Sequence, residues 1–169
     1  MAMSQEIAAT TVGNLSLQHM RWANQELLRR LGELPDECLA LHANHDDWNV
    51  ARIAHHLVAV SGRLHARIAG QPVLPDPTMP ETMEDIPVLA HFAYKNDVAL
   101  IDDAQQPDSI STFTIFNREI SQPRSLVLTQ AIHHAQEHRV QIVGILASHG
   151  HHEINLDELS LWYFAKVLP

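Results

Sequence analysis

The chain has 169 residues, which is the length of one ordinary domain and enough to bury a hydrophobic core. Apolar residues make up 46% of it, a share that excludes a disordered chain. Its 20 acidic and 11 basic residues give a net charge of −9, which argues against nucleic-acid binding through phosphate neutralisation and against a basic membrane-surface helix. The unusual count is 13 histidines, so their positions matter most.

The sequence gives no signal for export or membrane insertion. Its first residues lack the basic and apolar regions of a secretory signal, and no apolar stretch reaches the ~18–20 residues of a membrane span. The one cysteine, Cys38, cannot form an intramolecular disulfide, and we interpret it as an ordinary thiol. We therefore expect a single cytoplasmic domain over residues 1–169.

Two amphipathic helices are predicted in the first half of the chain, because apolar residues recur with a period of about 3.6. The first covers residues 14–34 and ends at Pro35. Asn24 lies on its inner side, where we interpret it as a hydrogen-bonded polar group in the packing interface. The second covers residues 50–69 and ends at Gly70, with Asp47 or Asn49 as its cap.

A proline-rich segment, residues 71–87, follows and cannot form a continuous helix. It is either a crossover between distant bundle positions or a functional segment that covers the site. A third helix over residues 87–104 is expected to point Val88, Leu89, Phe92 and Ala99 inward. After a short extended segment, 111–117, a fourth helix begins within 121–124 and has 125–147 as its body. A short amphipathic helix is predicted in the tail, with Leu156, Leu159, Trp162 and Tyr163 as its apolar residues. These elements predict an all-α fold, a four-helix up-and-down bundle with a long crossover and a short C-terminal helix.

Two histidine doublets divide in the same way on their helices. At about 100° per residue, His56 lies at the edge of the buried face while His55 faces solvent. On the fourth helix His134 and His138 lie near the buried face, and His133 faces away. In each doublet the second histidine is therefore the inward one.

The spacing of His134 and His138, i and i+4, lets one helix face present two imidazoles to one metal ion. His56 is the natural third ligand if the two helices are antiparallel neighbours. Three semi-buried imidazoles without a partner are costly to desolvate, whereas a divalent cation satisfies all three. A three-histidine site leaves a position open, as catalytic zinc sites do. The alternative is that these are unrelated, half-exposed histidines.

The other histidines give weaker signals. His19 is expected to be a core histidine. We interpret a cluster after the fourth helix as a solvated turn; it comprises His149, His151 and His152. No convincing partner is evident for the rest, which are His42, His45, His65 and His91.

Four segments of the chain resemble the DinB/YfiT-like metalloenzyme superfamily, the damage-inducible four-helix-bundle proteins. They are HMRWANQELLRRLGELP, WNVARIAHHLV, QAIHHAQEHRVQIVGIL, which is similar to the family's H-x-x-x-H-R-x-Q segment, and the tail HHEINLDELSLW. The resemblance implies a four-helix bundle, often a homodimer, with a nickel or zinc ion on three histidines. Those ligands correspond to His56, His134 and His138. The sequence departs from the family at Val140, where the segment commonly has glycine.

Family members of known chemistry use low-molecular-weight thiols, so the resemblance implies a metal-dependent thiol S-transferase or a hydrolase that acts on a small molecule. In either reaction the metal would activate a thiol or water. Gln141 and Glu137 are candidates for orienting a ligand or the nucleophile. The alternatives are a non-catalytic metal-binding stress protein and a helical interaction module. We expect no nucleic-acid or membrane partner.

Overall fold

A computed structural model of the chain describes residues 11–43 and 48–168. Its helices and strands, in chain order, are α1 (Val12–Leu31), α2 (Val50–Ala69), α3 (Ile86–Asp103), β1 (Ile110–Ile115), β2 (Arg118–Pro123), α4 (Arg124–Ser148) and α5 (Leu161–Phe164). Three short 3-10 turns lie at Asp36–Ala40, Met83–Asp85 and Leu156–Leu159. The all-α four-helix bundle and its short C-terminal helix are confirmed.

Side-chain caps explain where the first two helices begin. The Thr11 hydroxyl accepts a hydrogen bond from the amide of Asn14, so α1 begins at Val12 and ends at Leu31, three residues before the predicted end. The Asn49 side chain caps α2 by accepting a 2.9 Å hydrogen bond from the Arg52 amide. The alternative cap, Asp47, lies outside the described residues. Gly70 ends α2 with a left-handed φ of 64°, as expected for a glycine at that position.

Helix direction departs from strict up-and-down alternation. Asn96 on α3 donates a hydrogen bond to the Val58 carbonyl on α2, and His65 on α2 bonds Asp103 on α3. From the first contact to the second, the residue number rises on both helices, so α2 and α3 run parallel. In a parallel pair, the end of α2 and the start of α3 lie at opposite ends of the bundle. The segment between them therefore has to return along the length of α2.

The proline-rich segment forms that crossover. His55 Nε2 donates a 2.7 Å hydrogen bond to the Pro77 carbonyl oxygen, and Arg63 forms an ion pair with Asp76. His55 is therefore half-buried beneath the segment, although the helix pattern predicted it to face solvent. Among the described residues, none of the segment's hydrogen bonds reaches the three candidate ligands. The crossover interpretation is supported, and these contacts give no support to a cover over the histidines.

The third helix is rotated from its predicted orientation. Val88 is 53% exposed and Phe92 also lies at the surface, while Leu89, Ala93 and Leu100 are buried. Leu89 is buried as predicted, but the prediction was wrong for Val88 and Phe92, because Asp97, a carboxylate, occupies a fully buried position and interrupts the apolar pattern. Close packing against α2 fixes the helix there, since a β-carbon at Gly62 would lie 2.9 Å from Nδ2 of Asn96.

A β-hairpin replaces the single extended segment expected before α4. Strands β1 and β2 pair antiparallel and are joined by Phe116 and Asn117, whose positive φ angles of 48° and 60° suit a type I′ turn. Residues 121–123, predicted as the start of the fourth helix, belong to β2. In the tail, Leu159 and Phe164 are buried whereas Trp162 is 86% exposed.

Candidate metal centre

The bundle brings together the three histidines that the helix patterns placed inward. Nε2 of His134 lies 3.1 Å from Nε2 of His56 and 3.0 Å from Nε2 of His138. His138 is buried, and the other two are half-buried. His133 is exposed, as predicted. Three imidazole nitrogens from two helices therefore converge on one point.

Antiparallel packing of α2 and α4 produces this convergence. His134 and His138 are one helical turn apart on α4, so they stand one above the other. Ile53, one turn before His56, lines the same cavity as Gln141, one turn after His138. Because one helix advances while the other returns, a single histidine on α2 faces the pair on α4.

The proton positions disfavour a purely hydrogen-bonded cluster. The Oε1 atom of Gln141 accepts a 2.6 Å hydrogen bond from Nδ1 of His138, so a neutral His138 presents a lone pair at Nε2. His134 Nε2 can then donate its one proton to His138, but it has no lone pair left for His56. A cation at the centre satisfies all three nitrogens. The separations of His134 Nε2 from the other two nitrogens, 3.1 and 3.0 Å, suit bonds of about 2.0–2.1 Å to a common ion.

Burial keeps two of these imidazoles in the form that binds metal. The pKa of His56 is lowered to about 4, mainly by burial and to a smaller extent by its electrostatic interactions with His138 and Arg63. Burial also lowers the pKa of His134 to about 4, with a contribution from His138. At pH 7 both rings are therefore neutral, as ligation requires.

Trp48 and Arg52 form one wall of the site. The Trp48 ring packs edge-on to His56 at 4.7 Å between centroids and lies nearly parallel to the His138 ring at 6.2 Å. The Arg52 guanidinium lies over the outer part of this wall, 4.8 Å from the Trp48 centroid. Sequence reasoning did not assign either residue to the site. Glu137 is exposed at the rim, as its angle on the helix predicted.

A buried polar network lies behind the site. Arg139 donates a 2.6 Å hydrogen bond to Asn24, which donates a 2.9 Å bond to Asp97. Asn24 is thus the hydrogen-bonded interface residue that the sequence predicted. Asp97 is fully buried, and burial raises its pKa to about 7. The network joins α1, α3 and α4 and holds the helix turn that carries His138.

The remaining histidines lie away from the three-histidine cluster in the described structure. His19 is a core histidine, as predicted, and bonds the Leu159 carbonyl. His65 has a partner that the sequence did not reveal, Asp103 at 2.8 Å. His151 is half-buried, 3.5 Å from the Cys38 sulfur, so it is not a freely solvated turn residue. His45 lies outside the described residues.

The helical bundle and the three-imidazole cluster define a class of protein, a four-helix bundle with a candidate metal centre between two helices. The sequence pattern of the DinB family matches residues 3–166, and the chain belongs to that family. Its fold is similar to the crystal structure of a DinB-like protein from Bacillus cereus ATCC 10987, with a TM-score of 0.59. The two are 21% identical, and the match covers 79% of this chain and 87% of the other.

Two further comparisons give negative results. No protein with a curated description matches the sequence. Within the part of the chain that the structure describes, no helix is both long and apolar enough to span a bilayer.

Proposed function

We propose that this protein is a metal-dependent enzyme whose His56, His134 and His138 hold one divalent ion, nickel or zinc. The convergence of the three side chains carries the proposal, with Nε2 of His134 at 3.1 Å from Nε2 of His56 and 3.0 Å from Nε2 of His138. Imidazole ligands suit zinc, nickel, iron and copper, so the ligand type alone does not choose among these metals. Three neutral ligands leave the cation's charge uncompensated and a coordination position open, which favours an anionic ligand from a small molecule.

Activation of a small-molecule thiol or water is the reaction that the site supports, with thiol transfer favoured. When bound, the ion supplies Lewis-acid chemistry that lowers the pKa of a thiol or water. The chain offers no obvious nucleophile of its own, because its one cysteine, Cys38, is buried and burial raises its pKa. Gln141 orients the His138 ring through Nδ1, and Trp48 excludes water from one side of the cluster.

Transfer to a thiol-reactive dye tests this function. Protein purified without a polyhistidine tag would be loaded with nickel or zinc and mixed with a panel of low-molecular-weight thiols and monobromobimane. Metal-dependent acceleration of bimane conjugation that is lost in His138→Ala supports thiol transfer. Stoichiometric metal with no acceleration for any thiol in the panel would reject thiol transfer and leave hydrolysis as the proposed reaction.

Other expectations from the sequence stay predictions. They are the single domain over residues 1–169, the cytoplasmic location and the homodimer that the family resemblance implies. The exposed Trp162, at 86%, offers an apolar contact for a second copy. Light scattering on the purified protein would determine whether the homodimer forms.

A further inference from the structure

A cavity of about 230 Å³ lies between α2, α3 and the proline-rich segment. The close approach of the two helices forms its inner wall, because a β-carbon at Gly62 would lie 2.9 Å from Nδ2 of Asn96. The outer wall is formed by apolar residues of the segment, namely Pro72, Leu74, Pro75 and Pro77. Among the described residues that line the cavity there is no candidate metal ligand. The cavity is therefore a separate site, and its volume, below the roughly 300–1,000 Å³ of typical ligand pockets, suits a small ligand.

Two contacts hold the proline-rich segment over the helices. His55 donates a hydrogen bond to the Pro77 carbonyl oxygen, and Arg63 pairs with Asp76 through both carboxylate oxygens. Each proline fixes its own φ and restricts the residue before it, so few conformations are open to a segment with this many prolines. The cavity is thus formed before any ligand arrives, and binding would cost little conformational entropy.

Lys95 on α3 gives one end of the cavity a positive charge without a carboxylate beside it. Arg63 lines the cavity too, but Asp76 compensates its charge. In the described structure Lys95 forms no ion pair, although the chain has 20 acidic residues against 11 basic ones. A carboxylate on a small molecule can therefore bind Lys95 without displacing a carboxylate of the chain.

His65 offers a hydrogen-bond acceptor at the other end. Its Nδ1 donates a 2.8 Å hydrogen bond to Asp103 on α3, so a neutral His65 presents a lone pair at Nε2. The ring lines the cavity, and Nε2 has no hydrogen-bond partner in the described structure. A hydroxyl group of a ligand can donate to this nitrogen.

The distance between these two ends limits the length of a ligand. Two hydrogen bonds join the helices, Asn96 to Val58 and His65 to Asp103, so positions on α3 are level with positions 38 lower on α2. Lys95 is then level with a point on α2 eight residues before His65, which corresponds to about 12 Å along the helix axis. Hydrogen bonds of about 2.9 Å at both ends leave roughly 6 Å for the ligand, the length of a para-substituted benzene ring.

The space between the ends suits a flat apolar ring. The helices present small side chains there, those of Ala59, Ala66 and Ala99. Phe92 and Leu74 line the cavity as well, and the chain itself leaves them 36% and 79% exposed. A ring that packs against them would cover apolar surface that now faces water.

We propose that this cavity binds a small monocarboxylate with a flat, ring-sized apolar body and a hydroxyl group at its far end. Lys95 pairs with the carboxylate, and the hydroxyl group donates to Nε2 of His65. The ring packs between the helices and the proline-rich segment, which gives that segment a role beyond joining α2 to α3. The site is independent of the metal centre, and the proposal does not rest on the proposed function.

Three ligands built on one scaffold test the cavity. Isothermal titration calorimetry would compare 4-hydroxyphenylacetate with phenylacetate, which lacks the hydroxyl group, and with tyrosol, in which an uncharged hydroxymethyl group replaces the carboxylate. We expect 4-hydroxyphenylacetate to bind about tenfold more tightly than tyrosol and about fivefold more tightly than phenylacetate, because a hydrogen bond between charged groups contributes more than a neutral one. Equal affinities within either pair, or no binding of any of the three, would overturn the proposal.

Lys95→Met removes the charge and keeps most of the length of the side chain. This variant should lose the preference for 4-hydroxyphenylacetate over tyrosol and keep the affinity for tyrosol. Lys166→Met changes the chain's other lysine, which lies over the Tyr163 ring in the tail, and is the matched control that should keep the preference. An unchanged preference in Lys95→Met, or an equal loss in Lys166→Met, would overturn the assignment of the carboxylate to Lys95.

The same titrations with and without metal separate this cavity from the metal centre. Nickel-loaded protein and protein treated with a chelator should bind 4-hydroxyphenylacetate with equal affinity, because no candidate metal ligand is among the described residues that line the cavity. Binding that requires the metal would place the carboxylate at the three histidines and overturn the cavity proposal.

Discussion

Both ring nitrogens of His138 have a defined role. Nδ1 donates to Gln141, and Nε2 faces His134 at 3.0 Å. A ring held in this way is preorganised for ligation, because its tautomer and orientation are set before any ion arrives. His133, which adjoins His134 in sequence but lies on the opposite face of the helix, has no such contacts in the described structure and is exposed.

His138→Ala is predicted to abolish stoichiometric metal binding, while His133→Ala should leave it intact. Loss of one of three ligands leaves two nitrogens, which cannot complete the site. Elemental analysis of protein purified without a polyhistidine tag measures the difference. Equal metal contents in the two variants would contradict the ligand assignment.

Gln141→Leu is predicted to weaken metal affinity by about 10–100-fold, because it removes the acceptor for His138 Nδ1. Gln141→Glu keeps an oxygen acceptor there and should retain most of the affinity. Competition with a coloured chelator measures both variants. Glu137→Ala, at an exposed rim position on the same helix, is the control. A loss in Glu137→Ala as large as that in Gln141→Leu would argue against a specific role for Gln141.

The residues on helix faces were predictable, whereas the wall of the site was not. His56, His134 and His138 follow from helix angles alone, because a regular 3.6-residue period fixes which side chains share a face. Trp48 could not be placed in the same way, because it precedes α2 and the helix period does not extend to it. Arg52 lies at an exposed position of α2, which a hydrophobic pattern does not assign to a site. Asp97 is a carboxylate that no apolar pattern would place in a core.

At the level of helices, the network of Asn24, Asp97 and Arg139 connects three of the four bundle members. Its carboxylate, Asp97, has an unusual environment, because one Asp97 oxygen bonds Asn24 and the other is buried without a hydrogen-bond partner in the described structure. Such an oxygen is costly when charged. Protonation at Oδ1 would remove the charge and keep the bond from Asn24.

Asp97→Asn is predicted to gain stability relative to the wild type as the pH rises from about 4 to 8, with no further gain above that. Burial raises the pKa of Asp97 from 3.8 to about 7 in the folded protein. The folded state therefore binds more protons than the unfolded state between these values, and the stabilising effect is lost as the pH rises through 7. Urea denaturation of both proteins across this range measures the difference. A difference in unfolding free energy that does not change with pH would contradict the assigned pKa.

The β-hairpin offers a prediction that is independent of the site. Phe116 has a φ of 48° and is 95% exposed, so its side chain adds backbone strain without packing. Phe116→Gly should raise the free energy of unfolding by about 0.5–1 kcal/mol. Phe116→Ala keeps the β-carbon and should give no such gain. Thermal denaturation compares the two variants, and equal stabilities would rule out turn strain.

Element boundaries were predictable where a single residue ends a helix. Gly70 ends α2 where the sequence placed its end, because few other residues adopt a left-handed φ at low cost. The second strand of the hairpin was missed because Phe-Asn is not a typical type I′ turn sequence. The rotation of α3 depends on packing against Gly62 and on the buried carboxyl group of Asp97, and a hydrophobic pattern predicts neither.

Across the whole molecule, helix order explains why the site lies between α2 and α4. The parallel pair α2 and α3 requires the long crossover, which occupies the α2–α3 side through Pro77 and Asp76. The opposite side of α2 is thereby left to α4 and its two histidines. The sequence predicted a bundle with a crossover, but hydrophobic periodicity contains no information about helix direction.

X-ray absorption at the metal edge tests the central claim, that three histidines hold one divalent ion with an exchangeable position. Protein purified without a tag and loaded with nickel or zinc should show one equivalent of metal and three imidazole nitrogens. When a low-molecular-weight thiol is added, the scattering from a solvent oxygen ligand should be replaced by scattering from a sulfur ligand. A site with four protein ligands that thiols never change, or no stoichiometric metal, would contradict the account.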